Sequence, residues 1–238
     1  SRPASVPCGH CGSVPGSGGA GPTGARGDNG GMSEHATPAA LVSGQECAAF
    51  AAALMQARQT ILPKRLGEPA PSAEQRAQIL AAAAHAPDHG QLLPWRLIEV
   101  PQGARAALAE AFGQALLARD ASAAPEQVAQ AREKAFRSPL LLLVVVDLAG
   151  GDPEIEPAER ILSAGCAVQN LLLMATALGF GSALTSGKAL GSEVLRRLFG
   201  LGPGQQALCF VNIGSVLSAK RARTRPAPAD YCAVLQTP

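Results

Sequence analysis

The amino-acid sequence predicts an α+β or α/β sandwich in which helices cover a small sheet. Several long stretches place apolar residues at helical spacing, and a few short runs rich in branched residues stand between them, which is typical of interior strands. A length of 238 residues with 47% hydrophobic side chains is enough for one large domain with a sizeable core.

The N-terminal segment differs from the rest of the chain in composition. Its first 31 residues are dense in Gly, Pro and Ser and have almost no large apolar side chains, so burial cannot offset the entropy of ordering them. We therefore expect a disordered extension over residues 1–45 and a folded domain over residues 46–238. Cys8 and Cys11 have the spacing of half a zinc site, but no second Cys or His pair lies nearby, so no metal is expected there.

Helices and strands alternate along the domain. The first helix carries an apolar stripe and stops before Pro63, and the second begins at a capping box formed by Ser72 and Gln75. A continuous apolar run over residues 139–146 is typical of a strand buried on both faces, which predicts a central place in the sheet. The predicted helices cover about residues 47–60, 73–86, 104–117, 126–136, 158–178 and 192–199, and the strands 95–100, 139–146, 182–186 and 207–213.

Composition and charge exclude several classes of function. Lys and Arg number 20 against 18 Asp and Glu, and a net charge of +2 is too balanced for a nucleic-acid or membrane-surface binder. The longest apolar stretch, residues 161–178, is interrupted by polar side chains and indicates a buried helix, not a membrane span. Cys166, Cys209 and Cys232 lie in apolar runs that favour packing over disulfides, and no secretory signal is recognisable, so we expect a cytoplasmic protein.

The folded part contains no nucleophile elbow, no P-loop and no complete set of metal ligands in its sequence. Three polar groups stand out instead: Arg58–Thr60, the loop that carries His85, Asp88 and His89, and a basic cluster at residues 220–225. Taken alone, the first is an ordinary helix end and the last a solvated surface run without the aromatics that favour nucleic acid. We expect the Asp88 carboxylate to cap backbone N–H groups of its own loop.

A set of short motifs, weak singly and fairly specific together, resembles the small NAD(P)H nitroreductases over about residues 50–238. They are Arg58-x-Thr60, Glu68-Pro-x-Pro71 before a helix that ends in Ala86-Pro-Asp-His89, Pro94-Trp95 at the start of a strand, Ser163-Ala-Gly-Cys-Ala-Val168, Gly179-Phe-Gly181, Ser186-Gly187, and Ile213-Gly214 followed by basic residues.

The resemblance implies a three-layer α/β/α sandwich with a mixed central sheet flanked by helices. It also implies a homodimer with FMN in two interfacial sites, and hydride transfer from NADH or NADPH through flavin N5 to an electron-poor small molecule such as a nitroaromatic compound or a quinone. Because the flavin performs the electron chemistry, no catalytic side chain and no metal is expected. Nucleic acid and membranes are not expected partners.

The resemblance also implies which residues bind the cofactor. Guanidinium groups suit the FMN phosphate, with Arg58 and Arg223 as the candidates, and Lys220 or Arg221 could take the place of Arg223. The loop after the second helix would reach the flavin of the neighbouring subunit. The implied set is Arg58, Gln59, Thr60, His85, His89, Leu184, Thr185, Ser186, Lys220 and Arg223.

Two departures from the family pattern leave other functions open. His85 stands where relatives often have Arg, and Leu184-Thr185 stands where they often have Trp-Arg. The same fold could perform another flavin chemistry, such as enone reduction or oxygen-dependent flavin breakdown. The chain could also bind flavin without turnover as a carrier or interaction module, or be a helical scaffold with a basic tail.

Overall fold

The computed structural model describes residues 43–218 and 223–236. The half-site at Cys8 and Cys11, the predicted disorder up to residue 42, and Lys220 and Arg221 lie outside the described residues. The helices are α1 (Gly44–Ala57), α2 (Ala73–Ala82), α3 (Arg105–Arg119), α4 (Pro125–Glu133), α5 (Pro157–Ala177) and α6 (Glu193–Leu198). The strands are β1 (Leu66–Gly67), β2 (Trp95–Glu99), β3 (Leu140–Asp147), β4 (Gly181–Thr185) and β5 (Gln205–Val216).

The five strands form one sheet in the order β1-β5-β3-β2, and β4 pairs with β5 as well. All four pairings between these strands are antiparallel. The parallel component of the predicted mixed sheet is a single bridge between Thr60 and Ser182. Because β3 pairs with both β2 and β5, it has the interior position that its apolar run predicts.

Alternate side chains of β3 enter two separate cores. Leu142 and Val144 pack in the cluster that contains α5 and Ile79 of α2. Leu143 and Val145 pack in the cluster with α3 and α6 on the opposite face. Since successive strand residues point to opposite faces, the sheet is covered by helices on both sides, which confirms the three-layer α/β/α sandwich.

Capping residues define where the first two helices begin. The predicted box at Ser72 and Gln75 is confirmed, because the Ser72 hydroxyl accepts from the Gln75 N–H and the Gln75 side chain accepts from the Ser72 N–H. Ser43 and Glu46 form a second box, so α1 begins at Gly44 instead of about Cys47. Residues 44–45 are therefore helical although they belong to the extension predicted from composition.

Helix α5 packs one face against the sheet, where Ala164, Leu171 and Ala175 are completely buried. It ends at Ala177, and the positive φ of 85° at Gly179 allows the Phe180 N–H to reach the Ala175 carbonyl. In the part of the chain that the structure describes, α5 is the one helix long and apolar enough to cross a membrane. Its burial against the sheet supports the prediction of a core helix.

Candidate functional site

The Arg58–Thr60 segment leaves the end of α1 in an extended conformation and runs beside β4. Arg58 has φ −62° and ψ 118°, which ends the helix. Thr60 then forms the parallel bridge to Ser182, and the Ile61 N–H donates to the Ser182 carbonyl oxygen at 2.9 Å. The three residues predicted near a cofactor phosphate are therefore held at the beginning of β4.

Gly181 allows this close approach. A Cβ atom at Gly181 would lie 3.1 Å from the Ile61 side chain, 2.9 Å from Leu66 and 2.7 Å from Val216. The separations below 3.0 Å mean that the Val216 and Leu66 side chains would have to move, and Ile61 would be tightly contacted. The absence of a side chain at Gly181 thus leaves room for Ile61 beside the strand.

The Arg225 guanidinium meets the backbone of Arg58 at the start of this segment and lies near enough to influence the charge of the Arg58 side chain. Arg225 Nη2 donates to the Arg58 carbonyl oxygen at 2.9 Å. Burial lowers the pKa of the Arg58 guanidinium below its ordinary value, and the positive charge of Arg225 lowers it further. Within the described residues no carboxylate forms an ion pair with either arginine. This is a pair of cations suited to an anion.

The contact involves a different member of the basic cluster from those singled out in the sequence. Lys220 and Arg221 lie outside the described residues, and Arg223 is exposed with no hydrogen bond to Arg58 in the described part. Arg225 belongs to the same cluster. The sequence does not indicate whether Arg223 or Arg225 contacts Arg58. Geometry therefore adds Arg225 to the candidate residues.

The other end of β4 is held by a buried amide. Asn212 of β5 donates from Nδ2 to Thr185 Oγ1 at 3.0 Å and to the Ala183 carbonyl at 3.4 Å. Ser138 Oγ donates to Asn212 Oδ1 at 3.0 Å. Leu184 and Ser186, on either side of Thr185, are exposed. Sequence reasoning missed Asn212, since a single polar residue within an apolar strand has no recognisable motif.

A cavity of about 730 Å³ opens beside Thr185 and Ser186. It lies on the α3 side of the sheet, where Phe112 and Phe210 meet edge to face with ring centroids 5.7 Å apart. A volume of this size is within the range of small-molecule sites, which are mostly apolar with a few polar groups. Arg58, Gln59 and Thr60 do not line it, so β4 connects two neighbouring candidate regions.

One wall of this cavity is fixed by a buried arginine. Arg105 donates to the carbonyl oxygens of Val100 at 2.8 Å, Ala135 at 2.7 Å and Pro139 at 3.1 Å. The latter two carbonyls flank the segment that carries Arg137, a cavity-lining residue. A buried guanidinium that satisfies three carbonyls holds this connection in place.

The two histidines lie on a separate loop. His89 Nδ1 is 2.8 Å from Glu159 Oε2 of α5, and neither His85 nor His89 lines the cavity. Asp88 Oδ2 accepts from the Leu93 N–H at 2.7 Å, which confirms its predicted capping role. Within one chain, no described hydrogen bond joins these histidines to the Arg58 segment.

This loop has an uncommon backbone. Gly90, Gln91 and Leu93 have positive φ values of 65°, 52° and 49°. For the two residues that carry side chains, this conformation costs of order 1 kcal/mol or more and persists only where the surroundings enforce it. Leu93 is also exposed, so the loop presents an apolar side chain at the surface.

No group of three His, Cys, Asp or Glu side chains that could hold a metal is found within residues 43–218 and 223–236. Trp95 is buried in the core, in agreement with its predicted structural role.

Comparison with known proteins agrees with the resemblance. The Nitroreductase family model matches residues 56–215. The chain is 32% identical over 168 residues to "Putative NAD(P)H nitroreductase YdjA" of Escherichia coli (strain K12), an alignment that covers 70% of this chain and 90% of that protein. It is 34% identical over 152 residues to "Putative NAD(P)H nitroreductase" of Haemophilus influenzae. That alignment covers 64% of this chain and 82% of that protein.

Solved structures show the same fold. A nitroreductase-like family protein from Bacillus cereus has a TM-score of 0.66 at 18% identity. The superposition covers 78% of this chain and 96% of the Bacillus cereus chain. Nitroreductase CinD from Lactococcus lactis, solved in complex with nicotinic acid, has a TM-score of 0.62 at 19% identity, covering 79% and 100%.

Proposed function

Since this chain is an oxidoreductase that belongs to the nitroreductase family, we propose that it uses FMN to transfer hydride from NADH or NADPH to an electron-poor acceptor. The acceptor classes are nitroaromatic compounds and quinones. When bound, FMN would supply the hydride-transfer chemistry at its N5 atom, so the protein would need no acid–base pair of its own. The names of the relatives support the NAD(P)H donor.

The observation that carries this proposal is the pair of guanidinium groups at Arg58 and Arg225. Two adjacent cations without a carboxylate among the described residues repel each other, and a phosphate dianion would relieve that repulsion. Guanidinium groups bind phosphate with charge-assisted, often bidentate hydrogen bonds. The neighbouring Thr60 hydroxyl would supply a further donor.

The remaining residues position cofactor and substrate. Asn212 fixes Thr185 at the end of β4, so the Leu184–Ser186 segment can contact the cofactor where the cavity opens. Gln59 would contact the cofactor from the opposite end of β4. In reduction of a nitro group, nicotinamide loses a hydride, and the nitro group gains two electrons and two protons, becomes nitroso and releases one oxygen as water.

A homodimer is part of the proposal. None of the residues of helix α1 is buried in the described part of the chain, and Phe50 and Met55 are 70% and 54% exposed. Leu162 on α5 is 68% exposed as well. Exposed apolar faces of this kind mark interfaces between proteins. A second subunit would cover them and bring its own His85 and His89 to the cofactor, as the family resemblance implies. The cytoplasmic location stays a prediction.

Steady-state turnover tests this function. Purified protein supplemented with FMN should oxidise NADH or NADPH anaerobically only when a nitroaromatic compound or a quinone is present, and the nitro compound should be converted to nitroso or hydroxylamino products. Absence of acceptor-dependent oxidation with both nucleotides and both acceptor classes would contradict the proposed activity.

A further inference from the structure

The walls of the cavity beside β4 include an apolar part and a cationic part, together with uncharged polar residues such as Gln127 and Gln130. The apolar part suits the face of an aromatic ring. Its larger side chains are those of Leu62, Phe112, Leu116, Leu141, Leu190 and Phe210. The cationic part comes from the end of α3, the connection after α4 and the turn after β4. It consists of Arg119, Lys134, Arg137 and Lys188.

The positive charges of the cavity have little compensation. No Asp or Glu lies among its lining residues in the described part of the chain. Arg137 is the one lining cation with a described ion pair, and its partner Glu133 is mostly exposed and 3.6 Å away. Four cations around one cavity raise the local concentration of anions and lower the free energy of an anionic ligand inside it.

Arg137 also has an unused donor. Its Nε atom is buried and has no hydrogen-bond partner among the described residues. This atom has almost no accessible surface, so it does not itself face a ligand in the cavity, and Arg137 contributes to the cavity through its positive charge. Arg105 holds the backbone on either side of Arg137 in place.

We propose that the cavity selects acceptors that carry an anionic group on an aromatic ring, such as nitrobenzoates. The ring would pack on the apolar wall, and the carboxylate would lie among the cations. The preference among acceptors that are reduced rests on the proposed function. The preference among ligands that bind can be tested independently of it.

The first test is direct binding to the purified protein with its flavin. Calorimetry should show benzoate binding at least about fivefold more tightly than benzamide, which has nearly the same shape and no charge. Lys188→Gln should reduce that ratio by about two- to fivefold, as expected for one solvent-accessible cation. The control is Arg197→Gln, which removes an exposed charge outside the cavity and should leave the ratio unchanged. Equal binding of benzoate and benzamide would overturn the inference.

The second test compares kcat/KM for 4-nitrobenzoate and its methyl ester. The ester is intrinsically easier to reduce, so the informative quantity is the change in their ratio on substitution. Lys188→Gln and Arg119→Gln should each lower the ratio of acid to ester about two- to fivefold, and added salt should lower it in the unsubstituted protein. A ratio unaffected by both substitutions and by salt, while NAD(P)H still reduces the flavin, would overturn the inference and leave the proposed function intact.

The NADPH 2′-phosphate is another source of negative charge. If the substitutions change the preference for NADPH over NADH and leave the acid-to-ester ratio unchanged, the cations serve the donor and the inference is wrong. If neither nucleotide reduces the flavin, the proposed function fails, and the comparison of benzoate with benzamide still decides the inference.

Discussion

Arg225 donates a hydrogen bond from Nη2 to the backbone carbonyl oxygen of Arg58 at 2.9 Å. This contact joins the C-terminal segment to the residue that follows α1, and it brings two positive charges together. Such an arrangement is unfavourable by itself and becomes favourable when a phosphate binds both groups. The proposed phosphate site therefore depends on this pair.

Substitution of either arginine should weaken FMN binding. Arg58→Ala and Arg225→Ala each remove charged hydrogen bonds, which are worth about 1.5–3 kcal/mol, so affinity should fall by roughly ten- to a hundredfold. Quenching of flavin fluorescence during titration of the flavin-free protein measures this.

Arg223→Ala is the matched control, because Arg223 belongs to the same basic cluster and, unlike Arg225, has no described hydrogen bond to Arg58. Its FMN affinity should stay within about threefold of the unsubstituted protein. Unchanged affinity in Arg58→Ala would remove Arg58 from the phosphate site. A larger effect of Arg223→Ala than of Arg225→Ala would mean that Arg223, the residue predicted from the sequence, binds the phosphate.

Dilution should release FMN, because each proposed site includes the loop with His89 from the other subunit. Sedimentation velocity, followed by both protein and flavin absorbance, should show flavin leaving as the dimer dissociates. A monomer that retains FMN with unchanged affinity would contradict an interfacial site.

Asn212→Ala should destabilise the fold. It removes the acceptor of the buried Ser138 hydroxyl and the donor to Thr185, at a cost of about 1–3 kcal/mol in the free energy of unfolding. Urea denaturation measures the loss. Ser186→Ala changes an exposed neighbour and should alter stability by no more than about 0.5 kcal/mol. Equal stability of the two variants would show that the amide network is not needed.

Cys209 gives a pH dependence at alkaline pH. Burial raises the pKa of its thiol from 9.0 to about 11. The folded state therefore holds this proton more tightly than the unfolded state, so the contribution is complete below pH 9.0 and is lost as pH rises towards about 11. Between these values the unfolding free energy should fall more steeply for the unsubstituted protein than for Cys209→Ala. Parallel pH profiles would contradict this.

Much of the fold could be predicted from local pattern. The uninterrupted apolar run of β3 indicates burial on both faces, and Ser72 with Gln75 marks a helix start, because both signals lie within a few neighbouring residues. The two-residue strand β1 was missed since it is too short to show alternation. The parallel bridge of Thr60 depends on Ser182, far away in the chain.

The candidate site was less accessible to sequence reasoning. The Arg58 segment and the end of β4 could be identified from motifs, whereas the choice of Arg225 over Arg223 depends on how an extended tail turns. Asn212 acts through contacts between distant segments, and it stands in no recognisable motif. The cationic wall likewise comes from three separate parts of the chain.

The most direct test of the central claim is the visible absorption spectrum of the gently purified protein, before and after anaerobic addition of NADH or NADPH. We expect a flavin spectrum that bleaches with at least one nucleotide, and the faster donor identifies the preferred one. Absence of flavin binding even after FMN is added, or a bound flavin that neither nucleotide reduces, would contradict the account.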